Sequence, residues 1–208
     1  MRERKKDLAY QAIKSMILSK KLTSEQFLSE NDLAKKLNIS RTPVREALLR
    51  LKSEGFIRII PHKGAVINEV SIVEAREIFD MRMAIEEFVV RNVADQLEPE
   101  HFAILDRLID QQEQASAAKD LESYLAADSE FHDFFLRLYR NRVIWDAVLH
   151  VRQRFLTVGI SVLVTPKDIE ISLQYHKDMV EALRRGDVEE AVRITHDHLK
   201  FGKANLFR

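Results

Sequence analysis

Cysteine is absent from the 208 residues, which excludes disulfides and thiolate chemistry of any kind. Glycine (five) and proline (four) are scarce, leaving little material for turn-rich β-sandwich architecture or long disordered segments. No apolar run suits a bilayer: the longest, Phe155 to Val164, falls far short of the ~20 residues that a spanning helix needs. The Met1 to Lys6 start is charged and leads straight into an amphipathic pattern, without the apolar stretch of an export signal. The expectation is a cytoplasmic protein with no membrane partner. Net charge is also lacking, but the zero total hides a division. Residues 1–68 carry 15 Lys/Arg against 7 Asp/Glu, and the remainder 18 against 26. A basic excess confined to one small segment is the footprint of a phosphate-binding module, or of a merely solvated basic surface.

What is present is helical periodicity. Leu8, Ala9, Ala12, Ile13, Met16 and Ile17 predict a first helix over about Lys5 to Lys20. Ser29 is the expected N-cap of a second helix carrying Leu33, Ala34 and Leu37, which ends at Asn38, a residue that tolerates a left-handed turn. Ser40 is the expected cap of a third, with Pro43 in its first turn and Val44, Ala47, Leu48 and Leu51 as its buried face up to Gly55. The period then changes. Phe56 to Ile60 and Ala65 to Asn68 read as a hairpin around Pro61-His62-Lys63-Gly64. From Ser71 only helical patterns follow: about Ser71 to Gln96, Pro99 to Ala118, Leu121 to Arg140, Val143 to Val164, Lys167 to Arg185 and Val188 to Leu206. The expected fold is mainly α, a winged helix-turn-helix over 1–69 and an antiparallel all-helical bundle over 70–208.

Arg41 and Arg45 lie four residues apart on the third helix, with Thr42 beside them and the apolar stripe turned away. A polar, N-terminal helix face of this kind suits the major groove, where guanidinium forks read guanine edges. Thr42 and the helix N-terminus suit phosphate or thymine-methyl contacts, and His62, Lys63 and Gly64 form a wing tip suited to the DNA backbone or minor groove. The alternative for Arg45 is an ordinary pairing with a carboxylate.

Ser40-Arg41-Thr42-Pro43-Val44-Arg45-Glu46-Ala47-Leu48, then Leu51, Glu54-Gly55-Phe56-Ile57 and the Lys63-Gly64 wing resemble the GntR family of bacterial transcription regulators. The chain departs from the pattern at Asn31, where several members carry an Arg that touches DNA, and at Ser24-Glu25, which replaces the usual Pro-Gly.

In the second half, Leu121, Leu125, Asp128, His132, Phe135 and Tyr139 follow helical spacing and put a carboxylate and an imidazole on one apolar stripe. Burying both requires compensation, either their mutual hydrogen bond or a metal. His176 shares a face with Leu173, Met179, Val180 and Leu183, and His198 with Ala191 and Ile194. Both sit roughly 15 Å from the turn at Gly186-Asp187, so an antiparallel hairpin brings them level. One Asp and three His suit a divalent transition metal (Zn, Ni, Mn or Co) with positions left for water or ligand; a hydrogen-bonded polar core is the alternative. His196 competes with His198 from a nearly opposite face, while His101 and His150 read as surface residues.

Asp128-Ser129-Glu130-Phe131-His132, with His176, Ala182, Gly186, Asp187, Ala191 and His198, is similar to the metal-binding pattern of the FCD sensor domain in the FadR subfamily of GntR regulators. Six sensor helices point to the shorter, VanR-like variant. The resemblance selects His198 and implies that Arg82, on the stripe of Ile78, Ile85 and Val89, helps hold a carboxylate effector. Glu86, one turn on, is its structural alternative partner. Asn141 matches a family Asn near the site, or simply begins a helix. The resemblance implies a metabolite-responsive regulator, expected to repress, that binds a palindromic double-stranded DNA operator as a homodimer and takes a small organic acid at the metal. A purely structural metal, or a metalloenzyme activating water, are the other readings.

Overall fold

The computed structural model describes residues 2–18, 21–22, 27–61, 63–68, 70–149, 151, 162–163 and 165–206. The chain divides into two units, Met1–Val70 and Ser71–Arg208.

In the first unit α1 (Arg2–Leu18) packs on α3 (Arg41–Ser53) and buries Ala9, Tyr10, Ile13 and Ile17. Leu8, expected on the buried face, is 60% exposed. Tyr10 takes the inner position because both of its ends find partners: its hydroxyl donates to Glu54 Oε2 at 2.5 Å, and the Arg50 guanidinium lies 3.8 Å from its ring centre. In α2 (Glu30–Leu37) the Ser29 hydroxyl accepts from the Asn31 and Asp32 N–H groups, and Asn38 ends the helix in the left-handed region at φ 52°. Ser40 occupies the cap position of α3, yet its hydroxyl makes no capping bond. Pro43, Val44, Ala47, Leu48 and Leu51 form the buried stripe of α3.

Strands β1 (Ile57–Ile60) and β2 (Gly64–Ile67) pair antiparallel, Ile57 opposite Ile67 and Ile60 opposite Gly64. A bridge that sequence periodicity does not signal extends this hairpin. Leu28 N–H donates to the Ala65 carbonyl at 2.6 Å and Ala65 N–H to the Leu28 carbonyl at 3.0 Å, tying the wing to the segment before α2. Gly64 permits this approach: its φ is +108°, and a Cβ there would lie 2.7 Å from the Leu28 oxygen. Gly64→Ala is therefore expected to destabilise this unit by ~1–3 kcal/mol, measured by urea unfolding. Wild-type stability in the variant would show that the bridge yields freely.

The second unit is helical throughout its described residues. Its elements are α4 (Ile72–Val93) with a 3-10 turn (Ala94–Gln96), α5 (Pro99–Ala117), α6 (Leu121–Tyr139), α7 (142–149), α8 (Pro166–Arg184) and α9 (Val188–Asn205). Ser71 accepts from Glu74 N–H at the head of α4, and Thr165 with Asp168 forms a reciprocal cap on α8. The helix expected over Val143 to Val164 lies beyond residue 149 mostly outside the described residues, as does most of its apolar run. Helix α4 packs on α6 and α9, α5 on α6 and α8, and α8 on α9, so five helices close a ring around Leu105, Tyr124, Phe131, Val89 and Leu199. Gly202 lets α9 approach α4: a Cβ there would meet the Phe79 ring at 2.8 Å. No helix among the described residues is long and apolar enough to cross a membrane.

Candidate functional site

Inside the helical ring α6 supplies Asp128 and His132 one turn apart, α8 supplies His176, and α9 supplies His198. One ligand atom from each of the four lies within 4.8 Å of every other. His176 Nε2 stands 3.3 Å from both His132 Nε2 and His198 Nε2. His196, the competing histidine, instead pairs with Glu87 at 2.9 Å and is far more open to solvent than the cluster. His101 accepts from the Glu98 N–H at the head of α5, a helix-capping task.

The outer nitrogens fix what faces inward. His132 Nδ1 lies 2.8 Å from Glu86 Oε2, and a carboxylate oxygen only accepts, so this nitrogen carries the proton. His176 Nδ1 lies 2.7 Å from Gln112 Oε1, with the same consequence. Burial, together with the neighbouring imidazoles, pushes His176 well below the usual histidine range, so the ring is neutral. Burial also pushes His198 down, and His132 adds to it. His132 and His176 each carry a proton on the outer nitrogen, and the neutral His176 turns a bare Nε2 lone pair toward the Nε2 atoms of its two neighbours. Asp128 Oδ1 does not bridge them, standing 4.0 Å from His132 Nε2 and 3.7 Å from His176 Nε2, beyond hydrogen-bonding distance.

This donor set fits a divalent ion. Metal–nitrogen bonds of ~2.0–2.1 Å at tetrahedral to octahedral angles separate the nitrogens by about 2.8–3.4 Å, and the distances from His176 Nε2 to its two neighbours fall in that range. His198 Nδ1 is buried without a hydrogen-bond partner among the described residues. Burial raises the Asp128 pKa, a cost that a cation beside it offsets.

A cavity of about 60 Å³ adjoins the cluster; Ile78, Phe79, Leu125, Leu136 and Phe201 are among its apolar walls. Its described charged lining is Arg82 against Glu86, Asp128 and Asp133, one positive group to three negative. Arg82 Nε donates to Glu86 Oε1 at 2.6 Å, so Glu86 joins Arg82 to His132. Burial disfavours the Arg82 charge, but Glu86 outweighs it and raises the pKa. Burial likewise opposes the Glu86 charge, and Arg82 and His132 overcome it, holding this carboxyl far below its ordinary value. Asn141 is not among the cavity's described lining; its Oδ1 accepts from the Val143 and Ile144 N–H groups and starts α7.

In the first unit Arg41, Thr42 and Arg45 are exposed on α3, as is Ser40 before it. Arg41 and Arg45 share Glu30 of α2, at 3.3 and 3.7 Å, with side chains 66% and 71% exposed. Exposed pairs of this kind are worth at most ~1 kcal/mol, so Glu30 holds the forks loosely. Lys63 is exposed at the wing, its Nζ 5.8 Å from the Phe27 ring centre. His62, like Ser24 and Glu25, lies outside the described residues.

Sequence reasoning singled out Asp128, His132, His176 and His198 but missed Gln112 and Glu30, and saw Glu86 only as the partner of Arg82. Gln112 was findable: it interrupts the α5 stripe of Leu105, Leu108, Ile109 and Ala115, as Asp128 and His132 interrupt theirs.

Comparison with known proteins agrees with this two-part construction. Residues 5–67 match the gntR family of bacterial regulatory proteins and residues 77–201 match the FCD domain. The HTH-type transcriptional repressor RspR of Escherichia coli K12 is 28% identical over 173 residues, covering 83% of this chain and 76% of that protein. The gluconate operon transcriptional repressor of Bacillus subtilis 168 is 28% identical over 197 residues, covering 92% and 80%. Among solved structures, a GntR transcriptional regulator from Rhodococcus sp. RHA1 superposes with a TM-score of 0.77 at 19% identity, covering 99% of this chain and 98% of that one. E. coli McbR/YncC gives 0.74 at 21%, covering 98% and 97%. With the FCD match alone spanning more than half its length, the chain belongs to the GntR family of DNA-binding transcription regulators, with an FCD domain following its helix-turn-helix.

Proposed function

We propose that this regulator is a metal-dependent sensor of a small organic acid, acting in the cytoplasm as a homodimeric repressor on a palindromic operator. The observation that carries the sensing half is the cluster of imidazole nitrogens at 3.3 Å, two of them with outer protons committed to Glu86 and Gln112, beside a cavity that Arg82 lines. Asp128, His132, His176 and His198 would hold the ion, which supplies positive charge and coordination positions for an acid oxygen. Arg82 supplies the planar fork that matches the rest of a carboxylate. Among the described lining, carboxylates outnumber cations, so an organic anion enters only with the ion in place. Arg82 and Glu86 both sit on α4, which begins at Ile72, directly after the DNA-binding unit. An acid that draws Arg82 away from Glu86 acts on the helix that leads from that unit, and its unequal affinity for two arrangements sets operator occupancy.

On DNA, α3 offers Arg41 and Arg45 to base edges while Ser40, Thr42, His62, Lys63 and Gly64 serve the backbone. Two copies related by a two-fold axis double a recognition surface that one short helix leaves small. Arg41→Ala or Arg45→Ala is expected to cost about 1–3 kcal/mol in operator binding and relax base preference, whereas Lys63→Ala weakens binding evenly and lowers the salt slope by about one. Fluorescence anisotropy on a selected operator duplex checks both, and unchanged affinity in both arginine variants rejects the α3 assignment. The same assay tests the whole reading. An acid from a panel that includes gluconate, chosen for the operon named in one relative, should shift operator affinity by roughly 5–150-fold in metal-loaded protein and not in chelated protein. An equal shift in both would leave the metal with a structural role only.

A further inference from the structure

Gln112 has no place in the reading above beyond its contact with His176, and that contact is unusual. It is a long polar side chain on an apolar stripe of α5, fully buried, whose Oε1 meets His176 Nδ1 at 2.7 Å while its own Nε2 has no partner among the described residues. Leaving a buried amide half satisfied costs ~1–3 kcal/mol, and an apolar residue would avoid it. The position thus retains an acceptor at the expense of packing. His176 is the centre of the cluster, with both neighbouring Nε2 atoms at 3.3 Å.

We propose that Gln112 is the positioning residue of the metal site: by accepting the Nδ1 proton of His176 it commits Nε2 to the unprotonated form and aims its lone pair at the ion. This rests on the metal reading. The opposite amide orientation would donate to Nδ1, protonate Nε2 and close the centre to a cation. Glu86 does the corresponding task for His132, but it also pairs with Arg82, so its replacement disturbs two things at once. Gln112 is not part of the cavity's described lining, which separates tautomer control from effector contacts.

The test is zinc affinity of the full chain by competition with a chromophoric chelator, alongside urea unfolding of the metal-free protein. Gln112→Leu keeps bulk but removes the acceptor, and is expected to weaken zinc binding ~10–100-fold, the usual cost of losing an outer hydrogen bond to a ligand. Gln112→Asn withdraws the acceptor by one methylene and carries the same expectation should the leucine variant fail to fold. Gln112→Glu keeps an acceptor at the same reach and should bind zinc at least as tightly as wild type. A merely structural Gln112 would change the metal-free stability and leave zinc affinity unmoved in all three variants, which overturns the assignment. Wild-type protein that binds no zinc, cobalt, nickel or manganese overturns the metal reading and this inference with it; wild-type binding with wild-type-like Gln112→Leu and Gln112→Asn overturns this inference alone.

Discussion

His176→Ala should strip the protein of most of its bound metal, while His196→Ala keeps the wild-type content of about one divalent ion per chain. The two histidines are twenty residues apart in sequence and lie on adjacent helices, yet their surroundings are opposite. His176 is 1% exposed and faces two other Nε2 atoms. His196 spends Nδ1 on Glu87 near solvent. Removing a ligand outright should cost more than the ~10–100-fold that follows from disturbing its outer partner. Elemental analysis after exhaustive dialysis reads the difference directly. Equal metal content in the two variants would remove His176 from the site.

The second large effect concerns the acid. A carboxylate that stabilises metal-loaded wild type should give almost no thermal shift after chelation, and almost none in Arg82→Ala. A ligand at 100 times its Kd raises stability by ~2.7 kcal/mol, a shift of several degrees for a domain of this size. Among the described charged lining, only Arg82 opposes Glu86, Asp128 and Asp133, so without the ion an anion meets a negative site. Without the guanidinium it loses its second point of attachment. Since Arg82 also neutralises Glu86, the variant starts from a lower melting temperature, and the informative quantity is the shift from each protein's own baseline. A neutral or cationic compound as the best stabiliser, or a carboxylate shift that survives both changes, contradicts acid sensing at this cavity.

Much of the fold was legible because helices dominate it and announce themselves locally. Ser29 and Asn38 bracket α2, and Gly186 turns α8 into α9 with a φ of +73°. The metal candidates were legible for the same reason: Asp128, His132, His176 and His198 are polar residues at apolar phases of their helices. What stayed hidden depends on contacts between elements. Leu28 pairs with Ala65 through a single bridge, too short to produce alternation. Leu8 and Tyr10 differ in exposure because of Arg50, on α3, and Glu54, just after it. Glu86 was visible as an i,i+4 partner of Arg82, but its second oxygen reaches His132 across to α6, and no pattern along α4 encodes that. Gln112 broke its stripe as visibly as His132 did, and escaped notice because an amide is neither a titrating group nor a common ligand. Ser40, expected to cap α3 through its side chain, leaves its hydroxyl out of the cap, since the cap position alone does not determine the rotamer.

The most direct measurement is a crystal structure of the protein as purified, with diffraction recorded on either side of the zinc, nickel, cobalt and manganese absorption edges. The account predicts one anomalous peak among Asp128, His132, His176 and His198, about 2.0–2.2 Å from their inward atoms, and adjoining density for a small acid that reaches Arg82. An absent peak, with the three imidazoles hydrogen-bonded to one another or to water, would contradict it.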